Sequence, residues 1–173
     1  MHKIFITGGC GFIGSHLTEY LFKKYKKSQI YVYDKITYAA SLKNLENISN
    51  NKRVKIIKKD LSDYKSLKKH SKNSDILIHA AAESHVDNSF NLTNEFINTN
   101  VMGTKYVLDA CKENKISKII HISTDEVYGE IYKSSFDEKS QFNPSNPYSS
   151  SKAAAEMIIN GYIHSYKLPI TII

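Results

Sequence analysis

Tyr148 and Lys152 stand four residues apart just after Asn146-Pro147, and a proline in the first turn of a helix would put both side chains on one face. An ammonium beside a phenol favours the phenolate, so the spacing predicts a Tyr148 pKa below the usual value of about 10 and a base usable near neutrality. Upstream lies a second group that could do chemistry, Ser123-Thr124-Asp125-Glu126-Val127-Tyr128-Gly129, with two adjacent carboxylates. Paired acids at the end of a buried strand suit acid and base work, because repulsion and burial push their pKa values apart. Two acids side by side also suit a solvated turn. Strict strand alternation would aim Asp125 away from Thr124 and Glu126, so all three can face one substrate only if the strand breaks there.

A third group, Thr7-Gly8-Gly9-Cys10-Gly11-Phe12-Ile13-Gly14, joins a short apolar strand to a helix with Leu17 and Leu21 on one face. It satisfies Gly-x-Gly-x-x-Gly from Gly9 and Gly-x-x-Gly-x-x-Gly from Gly8. Such turns use glycine for unusual φ angles, for close approach to a pyrophosphate and for tight packing of helix on strand, and they set phosphates at the positive end of the helix dipole. Twenty residues after Gly14 a second strand ends at Asp34, where a carboxylate can accept hydrogen bonds from adenine ribose hydroxyls. A carboxylate there repels a 2′-phosphate, which predicts NAD over NADP, although the neighbouring Lys35 is a cation that could accommodate that phosphate. After a third strand, Asp60-Leu61 is placed to bound the adenine pocket, unless Asp60 caps the next helix.

These groups need a frame that brings strand ends together. Short β-branched or aromatic runs predict strands at Lys3 to Thr7, Ile30 to Asp34, Val54 to Lys58, Ile76 to His79, Lys118 to Ile122 and Ile170 to Ile173. Helices are predicted at Ile13 to Lys26, Asp63 to His70, Asn94 to Asn114 and Pro147 to Tyr166, with Ser/Asn-rich loops around Ile48 to Asn51 and Lys133 to Asn146. Strands alternating with helices predict a Rossmann-type, doubly wound parallel sheet in three α/β/α layers, with its ligand at the carboxyl ends of the strands. The 173 residues make one domain, 1–173, without repeats.

Composition excludes other classes of function. The net charge is +7, but the lysines fall in pairs on predicted helix faces, as at Lys23-Lys24 and Lys68-Lys69, without the interleaved aromatics of a nucleic-acid platform. No apolar run reaches the roughly 18 residues of a membrane span, and no secretory signal precedes the first strand. Cys10 and Cys111 are too few for a disulfide framework or a zinc cluster, so no metal and a cytoplasmic location are expected.

The chain resembles the extended short-chain dehydrogenase/reductase superfamily, and within it the dTDP-glucose 4,6-dehydratases. The resemblance is carried by the glycine turn, Asp34-Lys-Ile-Thr-Tyr-Ala39, Ala80-Ala-Ala-Glu-Ser-His-Val-Asp87, Thr99-Asn100, Ser123 to Gly129 and Tyr148 to Lys152. It implies that Tyr148 removes the C4 hydroxyl proton of a nucleotide-linked glucose while NAD accepts hydride. Thr124 would bond that hydroxyl and Lys152 would hold the nicotinamide ribose. Glu126 would take the C5 proton and Asp125 would protonate the departing C6 hydroxyl. Cofactor contacts are implied at Gly8, Gly11, Phe12, Ile13, Gly14, Asp34, Lys35, Ile36, Thr37, Asp60, Leu61, Ala80, Ala81, Ala82, Glu83 and Thr99, with Ser84 on the sugar nucleotide. The family dimerises through helices matching Asn94 to Asn114 and Pro147 to Tyr166, which implies a homodimer. It also continues into a second lobe that grips the nucleotide, and that lobe is absent from this chain. A nucleotide-sugar epimerase or decarboxylase is an alternative, against which the Asp125-Glu126 pair argues; a non-catalytic dinucleotide-binding module is another.

Overall fold

The computed structural model describes residues 2–131 and 135–173, so the start of the loop expected from Lys133 to Asn146 lies outside the described residues. Six strands form: β1 (Lys3–Thr7), β2 (Gln29–Asp34), β3 (Val54–Lys58), β4 (Ile76–His79), β5 (Ile119–His121) and β6 (Ile170–Ile172). All pair in parallel, in the order β3-β2-β1-β4-β5-β6. Strand alternation divides the core into two halves. Phe5, Tyr33, Ile57, Leu77 and Ile119 pack on one face with Leu67, Val107, Ala110 and Cys111. Ile4, Ile6, Ile30, Val32, Val54 and Ile78 pack on the other with Leu45, Ile48, Leu17 and Leu21. A sheet buried on both faces is the doubly wound, three-layer arrangement predicted, and the order reverses between β1 and β4, where such sheets open a crevice.

The helices are α1 (Phe12–Lys24), the short α2 (Glu46–Ser49), α3 (Tyr64–Ser71), α4 (Val86–Asn91), α5 (Thr93–Phe96), α6 (Gly103–Asn114) and α7 (Pro147–Tyr166). Asp63 caps α3 by accepting the Ser66 N–H at 3.1 Å, so Asp60 is not its cap. The helix predicted from Asn94 is interrupted: a π-helical turn, Ile97–Met102, joins α5 to α6. Helix α4 escaped prediction because its six residues carry only Val86 and Phe90 as large apolar groups. The predicted Ile48 to Asn51 loop in part belongs to α2, whose Ile48 is buried under β3. Among the described residues no helix is long and apolar enough to cross a membrane.

Candidate active site

A cleft of about 300 Å³ opens along the carboxyl ends of the strands. Its floor is the glycine turn. Gly8 has φ +71°, and a Cβ there would lie 2.5 Å from the Ala81 nitrogen; at Gly14 a Cβ would lie 2.0 Å from the Gly8 carbonyl oxygen. Gly9 packs on Val32 and Thr18 instead of facing the cleft. Gly11 is different. Its φ is −75°, open to any residue, and a Cβ would meet the protein no closer than 3.4 Å, at the Gly8 oxygen. Folding does not demand glycine at 11, whereas close approach by a phosphate does. The Gly8, Gly11 and Gly14 spacing therefore frames the cleft.

Asp34 closes β2 and is 8 % exposed. Its Oδ2 accepts the Cys10 N–H at 2.9 Å and its Oδ1 the Ile36 N–H at 2.7 Å, which ties the glycine turn to the following loop. Each carboxylate oxygen keeps a lone pair for a ribose hydroxyl. Ile36 does not line the cleft; it serves Asp34 through its amide, at φ +59°, a strained setting for a β-branched residue. Lys35 pairs with Asp60 at 3.5 Å.

The wall after β4, Ala80 to Ser84, is fixed from behind. Asn100 in the π-helical turn accepts the Glu83 N–H at 2.8 Å and donates to the Glu83 carbonyl at 2.9 Å and to Ser151 Oγ at 2.8 Å. The Thr104 hydroxyl donates to the Asn100 carbonyl at 2.6 Å, so His79 Nε2 donates to Thr104 at 3.0 Å and His79 Nδ1 accepts from Thr7 at 2.7 Å. Across the mouth, Tyr38 donates to Glu83 Oε2 at 3.2 Å.

At the far end the strand does break. β5 stops at His121, Thr124 is extended, and Asp125–Tyr128 form a 3₁₀ turn in which Thr124 Oγ1 accepts the Glu126 N–H at 3.3 Å. Tyr148, in the first turn of α7, stands beside Thr124. Its phenol is raised above its ordinary pKa, first by burial and then by the charges of Glu126 and Asp125, with the Thr124 hydroxyl opposing. Burial and the two carboxylates thus reverse the expected lowering, and Lys152 Nζ turns instead to the Ile122 carbonyl, at 2.6 Å. Burial pulls Lys152 down to about 8 against the charge of Glu156. Glu156, one turn further along α7, is held by Ser123, and burial raises its pKa.

The family described as GDP-mannose 4,6 dehydratase matches residues 5–173. The chain belongs to that family. It is 44% identical to a dTDP-D-glucose 4,6-dehydratase of Dictyostelium discoideum over 99% of this chain and 43% of that protein. It is 42% identical to a trifunctional UDP-glucose 4,6-dehydratase of Arabidopsis thaliana over 97% of this chain and 26% of that protein. A dTDP-glucose 4,6-dehydratase from Streptomyces venezuelae, solved with NAD bound, superposes with a TM-score of 0.95 at 34% identity, over 98% of this chain and 54% of that one. The chain therefore spans about half the length of such relatives or less. The resemblance read from the motifs is the family found.

For a member of the GDP-mannose 4,6-dehydratase family, the residues singled out in sequence, Ile36 apart, fall in two groups. Gly8, Gly11 to Gly14, Asp34, Lys35, Thr37, Asp60, Leu61, Ala80 to Ser84, Thr99, Tyr148 and Lys152 all line the cleft. Thr124, Asp125 and Glu126 stand beyond its end, joined to it through Tyr148; Asp125 is exposed. Sequence reading gave no role to Asn100, Glu156 or Asn146. Asn100 stood inside a quoted motif, and Asn146-Pro147 is a helix-start signal, but their partners lie 17 and 20 residues away.

Proposed function

We propose that this chain is the cofactor-holding half of a nucleotide-sugar 4,6-dehydratase that uses NAD and acts on dTDP-glucose or UDP-glucose. The observation that carries this reading is the 3₁₀ turn at the end of β5, which sets two carboxylates beside a tyrosine of the cleft wall. When bound, NAD would supply the acceptor for the C4 hydride and the donor that restores it at C6. The Gly11 gap and the Asp34 carboxylate suit its pyrophosphate and adenine ribose, and Lys35, engaged by Asp60, is not free to favour a 2′-phosphate.

Tyr148, beside Thr124, takes the C4 hydroxyl proton. The ketone so formed acidifies C5, and Glu126 takes that proton. Asp125 protonates the C6 hydroxyl, which leaves as water. Glu126 gives its proton back to C5 when hydride is restored at C6, so the net loss from the sugar is the C4 hydroxyl proton and the C6 hydroxide, one water in all, and the proton kept by Tyr148 makes good the one that Asp125 gave up. We also assign a homodimer to the face where Ile97, Met102 and Met157 stand exposed, and a cytoplasmic setting suited to two free thiols.

The test is product analysis after incubating the whole protein with NAD and each sugar nucleotide, looking for the 4-keto-6-deoxy sugar. Tyr148→Phe is expected to lower turnover by 10² to 10⁴, on the order of a general-base loss. Glu126→Gln is expected to permit oxidation at C4 and slow loss of C5 deuterium. A 4-epimer as the sole product would sink the reading.

A further inference from the structure

Helix α7 starts at Asn146, whose Oδ1 accepts the Ser149 N–H at 2.8 Å while the Ser149 hydroxyl accepts the Asn146 N–H at 3.2 Å. With its carbonyl end committed to the cap, the amide must turn its NH₂ end the other way, and there it donates to Glu126 Oε2 at 3.1 Å. The cap thus decides which end of the amide meets the carboxylate. Pro147 locks φ in the next residue. Glu126 is gripped at both ends: its backbone N–H by Thr124, the residue that caps its own turn, and its carboxylate by the residue that caps α7. Capping alone does not call for asparagine, since serine or aspartate caps a helix as well. Neither of those carries an N–H to offer Glu126.

We infer that Asn146 is a positioning residue for Glu126, using the α7 cap to fix its amide so that the NH₂ group aims the Glu126 carboxylate at the sugar. This rests on the reading of Glu126 as the base at C5. Tyr148 lies two residues beyond Asn146, so the first turn of α7 sets the distance between the group that acts at C4 and the group that acts at C5.

The test is Asn146→Ser in the whole protein, which keeps a cap and removes the NH₂ group. The melting temperature is expected to hold. With NAD and dTDP-glucose or UDP-glucose, the 340 nm signal of C4 oxidation is expected to develop nearly as in the unsubstituted protein, while solvent deuterium enters C5 about tenfold more slowly, the loss typical of one charge-assisted hydrogen bond. Unchanged C5 exchange, or equal slowing of both steps, would overturn the inference. A readout without sugar separates it from the dehydratase reading. Glu126→Gln is expected to move the Asn146 side-chain amide protons upfield in a ¹⁵N-edited spectrum and to leave the Ser149 backbone amide, bonded to the other end of that side chain, in place. Unmoved Asn146 protons overturn the hold whatever the substrate. Moved protons with neither sugar nucleotide consumed overturn the dehydratase reading, and the C5 role of Asn146 with it.

Discussion

Gly11 and Gly14 differ in what surrounds them, and that difference is measurable. Alanine at 14 puts a methyl 2.0 Å from the Gly8 oxygen and 2.8 Å from the Gly9 Cα, so Gly14→Ala is expected to lower stability by at least 1 to 3 kcal/mol, roughly the cost of overpacking. Gly11→Ala meets nothing nearer than 3.4 Å and is expected to leave the denaturation midpoint unchanged while weakening NAD binding tenfold or more. Calorimetry and urea titration of the pair decide it; equal loss of stability in both would mean that Gly11 is structural. Lys152 gives a second residue-scale prediction. With its pKa at about 8, the buried ammonium loses its proton as pH rises through that value. NAD affinity is expected to fall on the alkaline side of pH 8, and Lys152→Met to bind weakly with a flat profile over the same range. Sequence made Lys152 and Tyr148 legible as neighbours because four residues make one helical turn. It could not give the sign of the Tyr148 shift, which burial and the charges of Glu126 and Asp125 decide from another element.

At the scale of elements, the strands were legible because each carries a β-branched or aromatic run, and α7 was legible to the residue because Asn146-Pro147 announces its start. The π-helical turn was not. Its position follows from Asn100 being drawn in toward the Glu83 backbone and Ser151, partners that no local window contains. That turn lets one stretch of helix serve the site twice, with Thr99 on the cleft wall and Asn100 bracing the loop behind it. Asn100→Ala is expected to cost about 1 to 3 kcal/mol, since it leaves a buried amide and carbonyl unpaired. It is also expected to speed hydrogen exchange at the Glu83 amide far more than at strands β1 to β3. A uniform change across the sheet would show that Asn100 supports the fold generally and not that loop. The break after β5 was foreseen as a condition, that three adjacent residues can share a substrate only if the strand ends, and the Thr124 cap is what ends it.

The whole molecule carries a pH limit in its core. His79 and His121 lie side by side, ring centroids 5.1 Å apart, at the ends of β4 and β5. Burial, with the Lys152 charge adding to it, holds His79 at about 3, and His121, with no partner on either ring nitrogen among the described residues, is pushed down as well, by burial, His79 and Lys152. Both folded values are depressed, so the stability linked to them is complete above the unfolded value of 6.5 and is lost as pH falls toward 3. Each histidine adds a slope of about 1.4 kcal/mol per pH unit within that window. His121→Phe is expected to make the urea midpoint less steep in pH between 6.5 and 4; an unaltered slope would acquit it. The two thiols make the molecule report on its own opening. Cys10 sits fully buried beneath the glycine turn, its thiol pushed up to about 12 by burial and the Asp34 carboxylate; Cys111 is equally buried in the core on the other face of the sheet. Neither reacts with an aromatic disulfide reagent until its shelter parts. Labelling is therefore expected in two phases: a faster one, removed by Cys10→Ser and slowed by NAD in proportion to its occupancy, that times the parting of the phosphate loop; and a slower one at Cys111 that times unfolding of the sheet. A single phase would mean that the loop opens only when the core does, and that the floor of the cleft is as durable as its foundation.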